Sequence, residues 1–301
     1  FAEAILYRNA NLVEEDRARL AVGLQGVGIA ERATQQALAY ARERKQGAAG
    51  AIIAYPDVKR MLLTMRGLTG AARAICYATG IAIDRSLRAK TDAARKAAHD
   101  RASLLTPVAK AFSTDIGIEV ASLGVQVHGG MGYIEETGAA QHFRDARIAT
   151  IYEGTNGIQA LDLVARKVPL EGGKTVTLYI DELRRTVEAV RASNAPVLGE
   201  TAARLGEAVD SLERSTRWLL SQKSSDTALA GATPYLRLFG NAAGGCMLAE
   251  DALAALRAGD GNARGTLARF FAENIAVQAG GFERTIVEGG DSINGAQAAL
   301  A

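Results

Sequence analysis

Apolar residues recur every three or four positions over long windows of this chain of 301 residues. That spacing puts them on one face of a helix, so it predicts amphipathic helices over residues 19–44, 57–88 and 104–127, and another after Glu153. We expect these helices to pack as a four-helix bundle. Because little of the sequence alternates between apolar and polar residues as a strand does, the predicted fold class is all-α.

Local signals predict where these helices end. Gly47 can adopt a left-handed cap and is expected to end the first helix. The proline and acid at residues 56–57 mark the start of the second helix. Residues 88–101 are polar, and we expect them to separate the second helix from the third.

A proline and two glycines at residues 169–173 predict a linker between two domains. The first domain is then residues 1–168 and the second is residues 174–301. Further helices are predicted in the second domain, over residues 176–192, 198–221, 227–258 and 262–279. Residues 280–301 lose helical periodicity and are expected to form a loose tail.

Charge and cysteine content limit the possible partners and compartment. The net charge is +2 and the basic residues are scattered, which argues against nucleic acid as a partner. No apolar run reaches membrane-spanning length and no signal peptide is recognisable, so no transmembrane segment is expected. Cys76 and Cys246 are predicted to be buried, reduced thiols, which suits a cytoplasmic protein. The chain begins at Phe1 inside a helix-like run, which indicates a part of a longer polypeptide.

Three glycines follow His128 within "VHGGMG". They follow a predicted helix and not a strand, which excludes a Rossmann phosphate loop. A helix cap and turn is one interpretation, and close approach of the backbone to a flat or phosphorylated ligand is the other. The three histidines of the chain have no metal-ligand spacing, so we expect no metal site and a structural role for His128.

Glu153 lies in the stretch "IYEGTNG", directly before the fourth predicted helix. Thr155 or Asn156 can cap that helix, so a glutamate is not needed as its cap. Gly154 allows a ligand to approach the backbone, and Tyr152 offers an apolar wall. A carboxylate in such a place becomes a stronger base when a bound ligand excludes water, which carbon-acid deprotonation requires. Helix capping and catalysis both remain open on these residues alone.

Four stretches together resemble the acyl-CoA dehydrogenase family. They are "RARLAVGLQGVGIAERATQQALAYARERKQG" (residues 17–47), "PDVKRMLLTM" (56–65), "AKAFSTDIGIEVASLGVQVHGGMGYIEE" (109–136) and "FRDARIATIYEGTNGIQALDLVARKV" (143–168). The resemblance covers roughly residues 17 to 168. Residues 174–301 resemble the extra helical domain of longer bacterial members, a group that includes enzymes for 3-methylthiopropionyl-CoA.

The resemblance implies an FAD-dependent oxidoreductase of fatty acid β-oxidation that introduces an α,β double bond into an acyl-CoA thioester. Glu153 stands at the family position of the base that removes the α-proton, while the β-hydrogen passes as hydride to flavin N5. The other family position for the base is occupied by Ala18. The resemblance also implies a homodimer or dimer of dimers, with electron-transfer flavoprotein as the electron acceptor.

Further site residues are implied by the same motifs. Asp16, Arg19, Tyr152 and Gly154 match residues at the acyl-CoA pocket. Arg44, Gln126, Gly129, Gly130 and Thr155 match residues that hold FAD, often across a dimer interface.

The family's N-terminal helical and β-barrel domains have no counterpart in this sequence. We therefore expect these 301 residues alone to be inactive. The alternative is a helical oligomerisation or binding module that keeps the scaffold of the family without its chemistry.

Overall fold

Long helices packed side by side form the framework of the first half of the chain. In the computed structural model, which describes residues 2–48, 50–223 and 225–301, with side chains from Glu14 onward, they are α1 (Ala2–Glu43), α2 (Pro56–Arg88) and α3 (Asp92–His128). Phe1 lies outside the described residues. No β-strand forms within those ranges, which confirms the all-α class. None of the helices in the described part is both long and apolar enough to cross a membrane.

The remaining helices are shorter in the first half and of mixed length in the second. In chain order they are α4 (Gly130–Tyr133), α5 (Ala139–Ala149), α6 (Asn156–Asp162), α7 (Lys174–Ser193), α8 (Thr201–Ser221), α9 (Asp226–Ala230), α10 (Ala232–Arg257), α11 (Asn262–Asn274), α12 (Ala279–Glu288), α13 (Gly290–Asn294) and α14 (Gln297–Leu300). A π-helical turn (Leu163–Lys167) continues α6. Short 3-10 turns lie at Ile52–Ala54, Glu135–Thr137, Leu170–Gly173, Pro196–Leu198 and Ala276–Gln278.

The first helix ends at Glu43, so the prediction that it ends at Gly47 was wrong. The chain turns back immediately, because the Ile52 amide donates to the Arg44 carbonyl at 2.9 Å. Gly47 does adopt a left-handed conformation, with φ of +69°, but it does so within this turn. The hydrogen bonds of this turn therefore satisfy backbone N–H and C=O groups that further helical turns would otherwise have satisfied.

The third helix begins at Asp92, so the prediction of a polar break over residues 88–101 was also wrong. Thr91 caps this helix, its side chain accepting the Ala94 N–H at 3.2 Å. The first turns of the helix are polar because most of their residues face solvent. Only residues 89–91 separate α2 from α3.

The C-terminal residues 280–301 were predicted as a loose tail, and this was wrong. Most of them belong to α12, α13 and α14, and α12 packs against α8 and α10. Ile286 on α12 is completely buried, and Arg214 on α8 donates to both carboxylate oxygens of Glu283 at 2.6 and 2.7 Å. The glycines among these residues interrupt the pattern between short helices, and tertiary contacts stabilise those helices.

The helices pack closely because small residues lie where their axes approach. A Cβ added to Gly26 on α1 would lie 2.4 Å from the Ser113 carbonyl oxygen on α3. Gly240 on α10 lies directly against the Phe112 ring. One cluster of buried apolar residues runs through both halves of the chain. The boundary at residues 169–173, which form a 3-10 turn, stays a prediction.

Two short helices place the stretch around Glu153. The helix α5, which the sequence did not predict, packs against α1 and α3, whereas α6 packs against α3 and α10. The turn that connects α5 to α6 contains Glu153. This turn is therefore supported by α3 from below and lies close to the C-terminal helices.

Candidate active site

Glu153 is exposed and has a left-handed backbone conformation, with φ of +56°. Gly154 follows with φ of +81°. For a residue with a side chain this conformation costs about 1–2 kcal/mol, so it persists only where surrounding contacts impose it. The glutamate side chain is thus presented to solvent from a strained backbone.

Two buried side chains impose this conformation by binding the carbonyl groups of the turn. Gln159 Nε2 donates to the Glu153 carbonyl oxygen at 2.9 Å. Lys110 Nζ donates to the Gly154 carbonyl oxygen at 2.8 Å and to Asn156 Oδ1 at 2.9 Å. Lys110 is completely buried and Gln159 is 1% exposed. The backbone of the turn is therefore held from the protein interior, which leaves the carboxylate of Glu153 available on the outer side.

Asn156 connects this turn to α3, and a second acid on α3, Glu119, pairs with the C-terminal half. Its Nδ2 donates to Asp115 Oδ1 at 2.7 Å and to the Ala111 carbonyl at 3.2 Å. Arg237 on α10 donates to Glu119 at 2.9 Å and acts electrostatically on Asp115. A polar network thus runs beneath the turn from α6 through α3 to α10.

Burial shifts the titration of the charged groups in this network. Burial lowers the pKa of Lys110 to about 8, although the negative charges of Asp115 and Glu153 act in the opposite direction and raise it. Burial likewise raises the pKa of the Asp115 carboxyl, while the Asn156 hydrogen bond and the charges of Arg237 and Lys110 oppose that rise. The charges of Lys110 and Asp115 therefore each reduce the free-energy cost of burying the other group in its ionised form.

The cap of α6 is Thr155, one of the two residues predicted for it. Its Oγ1 accepts the Ile158 N–H at 3.4 Å, and Asn156 uses its side chain in the network instead. Glu153 does not cap this helix. Its position therefore needs an explanation other than capping.

The residues predicted for the acyl-CoA pocket have different surroundings. The Tyr152 hydroxyl donates to Gln25 Oε1 on α1. Arg19 pairs with Glu15 at 3.5 Å, and its charge lowers the pKa of Lys110, whereas the charge of Glu153 raises it. Asp16 is buried, and its pKa is raised by this burial and lowered by the charge of Lys167. Arg19 and Tyr152 thus lie near the Glu153 turn, whereas Asp16 faces the interior; their roles stay predictions.

Four of the residues predicted to hold FAD line a single pocket of about 610 Å³, between the end of α1 and the end of α3. They are Arg44, Gln126, Gly129 and Gly130. A Cβ on either glycine would meet no atom within 4 Å, so it would project into open space that the glycines keep clear. The fifth residue, Thr155, lies at the Glu153 turn instead.

His128 forms part of the wall of this pocket and is structural, as predicted. Its Nδ1 is 2.7 Å from the Gly124 carbonyl oxygen, and its ring stacks on Tyr40 with centroids 4.4 Å apart. Within the described residues, no group of three or more His, Cys, Asp or Glu side chains is arranged to hold a metal ion. Cys76 and Cys246 are free and buried, which confirms the prediction for both thiols.

The pocket and the Glu153 turn lie far apart along α1. Tyr152 contacts Gln25, and the first residue of α1 that lines the pocket is Tyr40. At a rise of 1.5 Å per residue, the part of the helix between them is about 22 Å long. One copy of the chain therefore presents two separate groups of predicted site residues.

Three residues of this network, Lys110, Gln159 and Arg237, were not predicted as site residues from the sequence. Lys110 was the easiest to find, since it is a lone lysine between apolar residues in "TPVAKAF". A buried lysine is rare unless it has polar partners, and this position on the apolar face of a helix predicts burial. Gln159 and Arg237 lie in ordinary helical patterns, where no local signal marks them.

Comparison with known proteins adds independent information. Residues 15–168 match the family described as "Acyl-CoA dehydrogenase, C-terminal domain", and residues 179–297 match "Acetyl-CoA dehydrogenase C-terminal like". The 3-methylmercaptopropionyl-CoA dehydrogenase of Ruegeria pomeroyi is 43% identical over 293 residues, a match covering 92% of this chain and 50% of that protein. The chain thus spans about half the length of that curated relative.

Solved structures share the fold. The chain resembles an acyl-CoA dehydrogenase from Bacillus anthracis in complex with FAD, with a TM-score of 0.74, 19% identity, and coverage of 96% of this chain and 52% of that one. It also resembles ACDH-11 of Caenorhabditis elegans in complex with C11-CoA, with a TM-score of 0.71, 19% identity, and coverage of 91% and 46%. Because the first family match alone spans half of the chain, this protein belongs to the acyl-CoA dehydrogenase family.

Proposed function

We propose that this chain is the part of an FAD-dependent acyl-CoA dehydrogenase that supplies the catalytic base, Glu153. One observation carries the proposal. The carboxylate is exposed on a turn whose left-handed backbone is fixed by the buried side chains of Lys110 and Gln159. Strained backbone of this kind clusters at active sites, where it places a functional group.

In this proposal the Glu153 carboxylate removes the α-proton of a bound acyl-CoA thioester. The backbone N–H of Glu153 donates a hydrogen bond to the thioester carbonyl and so stabilises the negative charge that develops there. FAD, when bound, would supply the oxidation by accepting the β-hydrogen as hydride. The electron pair of the broken α-C–H bond forms the α,β double bond. Arg19, Tyr152 and Gly154 contribute to the acyl-CoA pocket, and Asp16 supports it from the interior.

The pocket at the ends of α1 and α3 fits part of an FAD molecule. Arg44 supplies a cation suited to the pyrophosphate, and Gly129 and Gly130 leave room for close approach of the backbone. The Bacillus anthracis neighbour is a complex with FAD. Because the pocket is about 22 Å along α1 from the residue that Tyr152 contacts, we assign it to the FAD of a partner subunit. Thr155 then contacts the FAD at the subunit's own site.

The proposed substrate is an acyl-CoA, and the name of the Ruegeria pomeroyi relative makes 3-methylmercaptopropionyl-CoA the first compound to test. Electron-transfer flavoprotein is the proposed electron acceptor, and the active form is a homodimer or a dimer of dimers. The free thiols of Cys76 and Cys246 support a cytoplasmic location. A helical and a β-barrel domain outside these residues complete the flavin site.

Flavin bleaching by a panel of acyl-CoAs tests this function. The full-length gene product is expected to carry stoichiometric FAD and to lose its flavin absorbance under anaerobic mixing with at least one acyl-CoA. The 301-residue chain, measured beside it, is expected to bind FAD weakly and to show no turnover. No bleaching by any straight, branched or sulfur-containing acyl-CoA would contradict the proposal. Turnover by the 301-residue chain alone would contradict the need for further domains.

A further inference from the structure

We infer that Lys110, Asn156 and Arg237 form a positioning network that fixes the Glu153 turn, and that the C-terminal helices act on the base through it. The inference rests on the proposed role of Glu153. None of these three residues touches the outer face of the turn, where a substrate would bind. They are positioning residues and not catalytic ones.

Lys110 is a buried charged residue between apolar residues of α3. It is completely buried on α3, at a position where an apolar side chain would avoid the cost of desolvating an amine. Its Nζ has two acceptors, the Gly154 carbonyl and Asn156 Oδ1, and both belong to the stretch just after Glu153. The lysine therefore stabilises this particular turn.

Together with Gln159, Lys110 fixes the backbone of the Glu153 turn. Gln159 binds the carbonyl of Glu153 and Lys110 binds the carbonyl of Gly154, so consecutive peptide groups are fixed in orientation. A change in the backbone torsions of Glu153 breaks at least one of these hydrogen bonds. Without Lys110, nothing in the described surroundings holds the Gly154 carbonyl, and the left-handed conformation of Glu153 relaxes.

Acids on α3 lie between the Glu153 turn and α10 in the second half of the chain. Asn156 donates to Asp115, and Asp115 is influenced by the charge of Arg237 on α10. Arg237 is fixed in turn by its bond to Glu119 at 2.9 Å and by its position 5.5 Å from the Phe112 ring centroid. The positive charge of Arg237 thus favours the ionised form of Asp115, the acid that accepts the Asn156 hydrogen bond. This gives the second helical region a function at the active site.

The test uses Lys110→Met, with Lys96→Met as a matched control on the exposed side of the same helix. In the full-length enzyme, Lys110→Met is expected to lower the rate constant of flavin reduction about 10- to 100-fold, since small misplacements of a reacting group have effects of this size. The KM for acyl-CoA and the flavin content are expected to change much less than this rate constant, because Lys110 itself does not reach the substrate face. Lys96→Met is expected to match the unmodified protein.

Hydrogen exchange supplies a readout that does not depend on activity. In the 301-residue chain, Lys110→Met is expected to speed exchange of the hydrogen-bonded amides of Ile151, Tyr152 and Asn156 about tenfold, with α8 unchanged. Asn156→Ala leaves the lysine in place and tests the same network should Lys110→Met fail to fold. Arg237→Gln is expected to have a smaller effect in the same direction, with Arg257→Gln, exposed on the same helix, as its control.

The outcomes separate this inference from the proposed function. Exchange and flavin reduction within twofold of the controls in Lys110→Met and Asn156→Ala would overturn the network. An effect of Lys110→Met without any effect of Arg237→Gln would overturn the link to the C-terminal helices. If the unmodified full-length protein reduces no flavin, the proposed function fails, while the exchange measurement still decides whether the turn is held by these residues.

Discussion

Glu153→Gln is expected to reduce the rate of flavin reduction by acyl-CoA about a thousand-fold or more in the full-length protein, which is the range for loss of a general base. The amide has nearly the same shape as the carboxylate but cannot accept the α-proton. The Glu153 carbonyl and the Gly154 carbonyl keep their bonds to Gln159 and Lys110, so the turn keeps its conformation. Binding of acyl-CoA, measured by the perturbation of the flavin spectrum, is therefore expected to persist.

Glu171→Gln is the matched control for this substitution. Glu171 is also an exposed glutamate in a left-handed conformation, with φ of +52°, but it lies in the turn before α7. Its ion pair with Lys96 is exposed, and such pairs contribute little to stability. Flavin reduction is expected to be unchanged in Glu171→Gln. If Glu153→Gln also leaves it unchanged, Glu153 is not the base; the alternative of a non-catalytic helical module gains support only if the unmodified protein reduces no flavin.

Gly26→Ala is expected to lower the free energy of unfolding by about 3 kcal/mol, at the upper end of the usual cost of overpacking. The added Cβ would lie 2.4 Å from the Ser113 carbonyl oxygen. The obstacle is backbone of α3, which cannot move aside as the end of a flexible side chain could. The helices α1 and α3 would have to separate, which would weaken contacts along both. Urea denaturation of the 301-residue chain measures the loss.

Gly28→Ala is the control for this effect, since it lies two residues further along the same helix. A Cβ at Gly28 would meet no atom within 4 Å. Alanine is a better helix former than glycine by up to about 1 kcal/mol, so this variant is expected to be slightly more stable. Equal stability of the two variants would show that the close approach of α1 to α3 has been assigned wrongly.

Much of the fold could be predicted because long amphipathic helices leave a strong periodic signal. The second helix, predicted over residues 57–88, was found as Pro56–Arg88. The errors lie where that signal is weak. Residues 92–101 are helical but mostly solvent-exposed, so they lack an apolar stripe, and α12 has only ten residues, two of them glycine, so its apolar face covers few positions. In both places the helix is stabilised by a cap or by tertiary contacts.

For the candidate site, the sequence predicted individual residues but not their arrangement in space. Sequence motifs named Glu153 and offered Thr155 as a cap, and they grouped Arg44, Gln126 and the two glycines as one set; the structure brings that set into one pocket. The roles of these residues stay predictions. The separation of that pocket from the Glu153 turn could not be predicted, because the local pattern does not encode how far apart two stretches lie after folding.

The sequence by itself determined that this protein is helical, that it resembles the acyl-CoA dehydrogenases, and that Glu153 lies where their base is expected. These properties are encoded locally, in spacing and in short motifs. Only the tertiary structure decided that Glu153 has a left-handed backbone, and that Lys110, Gln159 and Asn156 hold the turn on which it lies. Those contacts join α3 to α6 and to the turn before it, segments that are distant along the chain, and they form only when the helices pack.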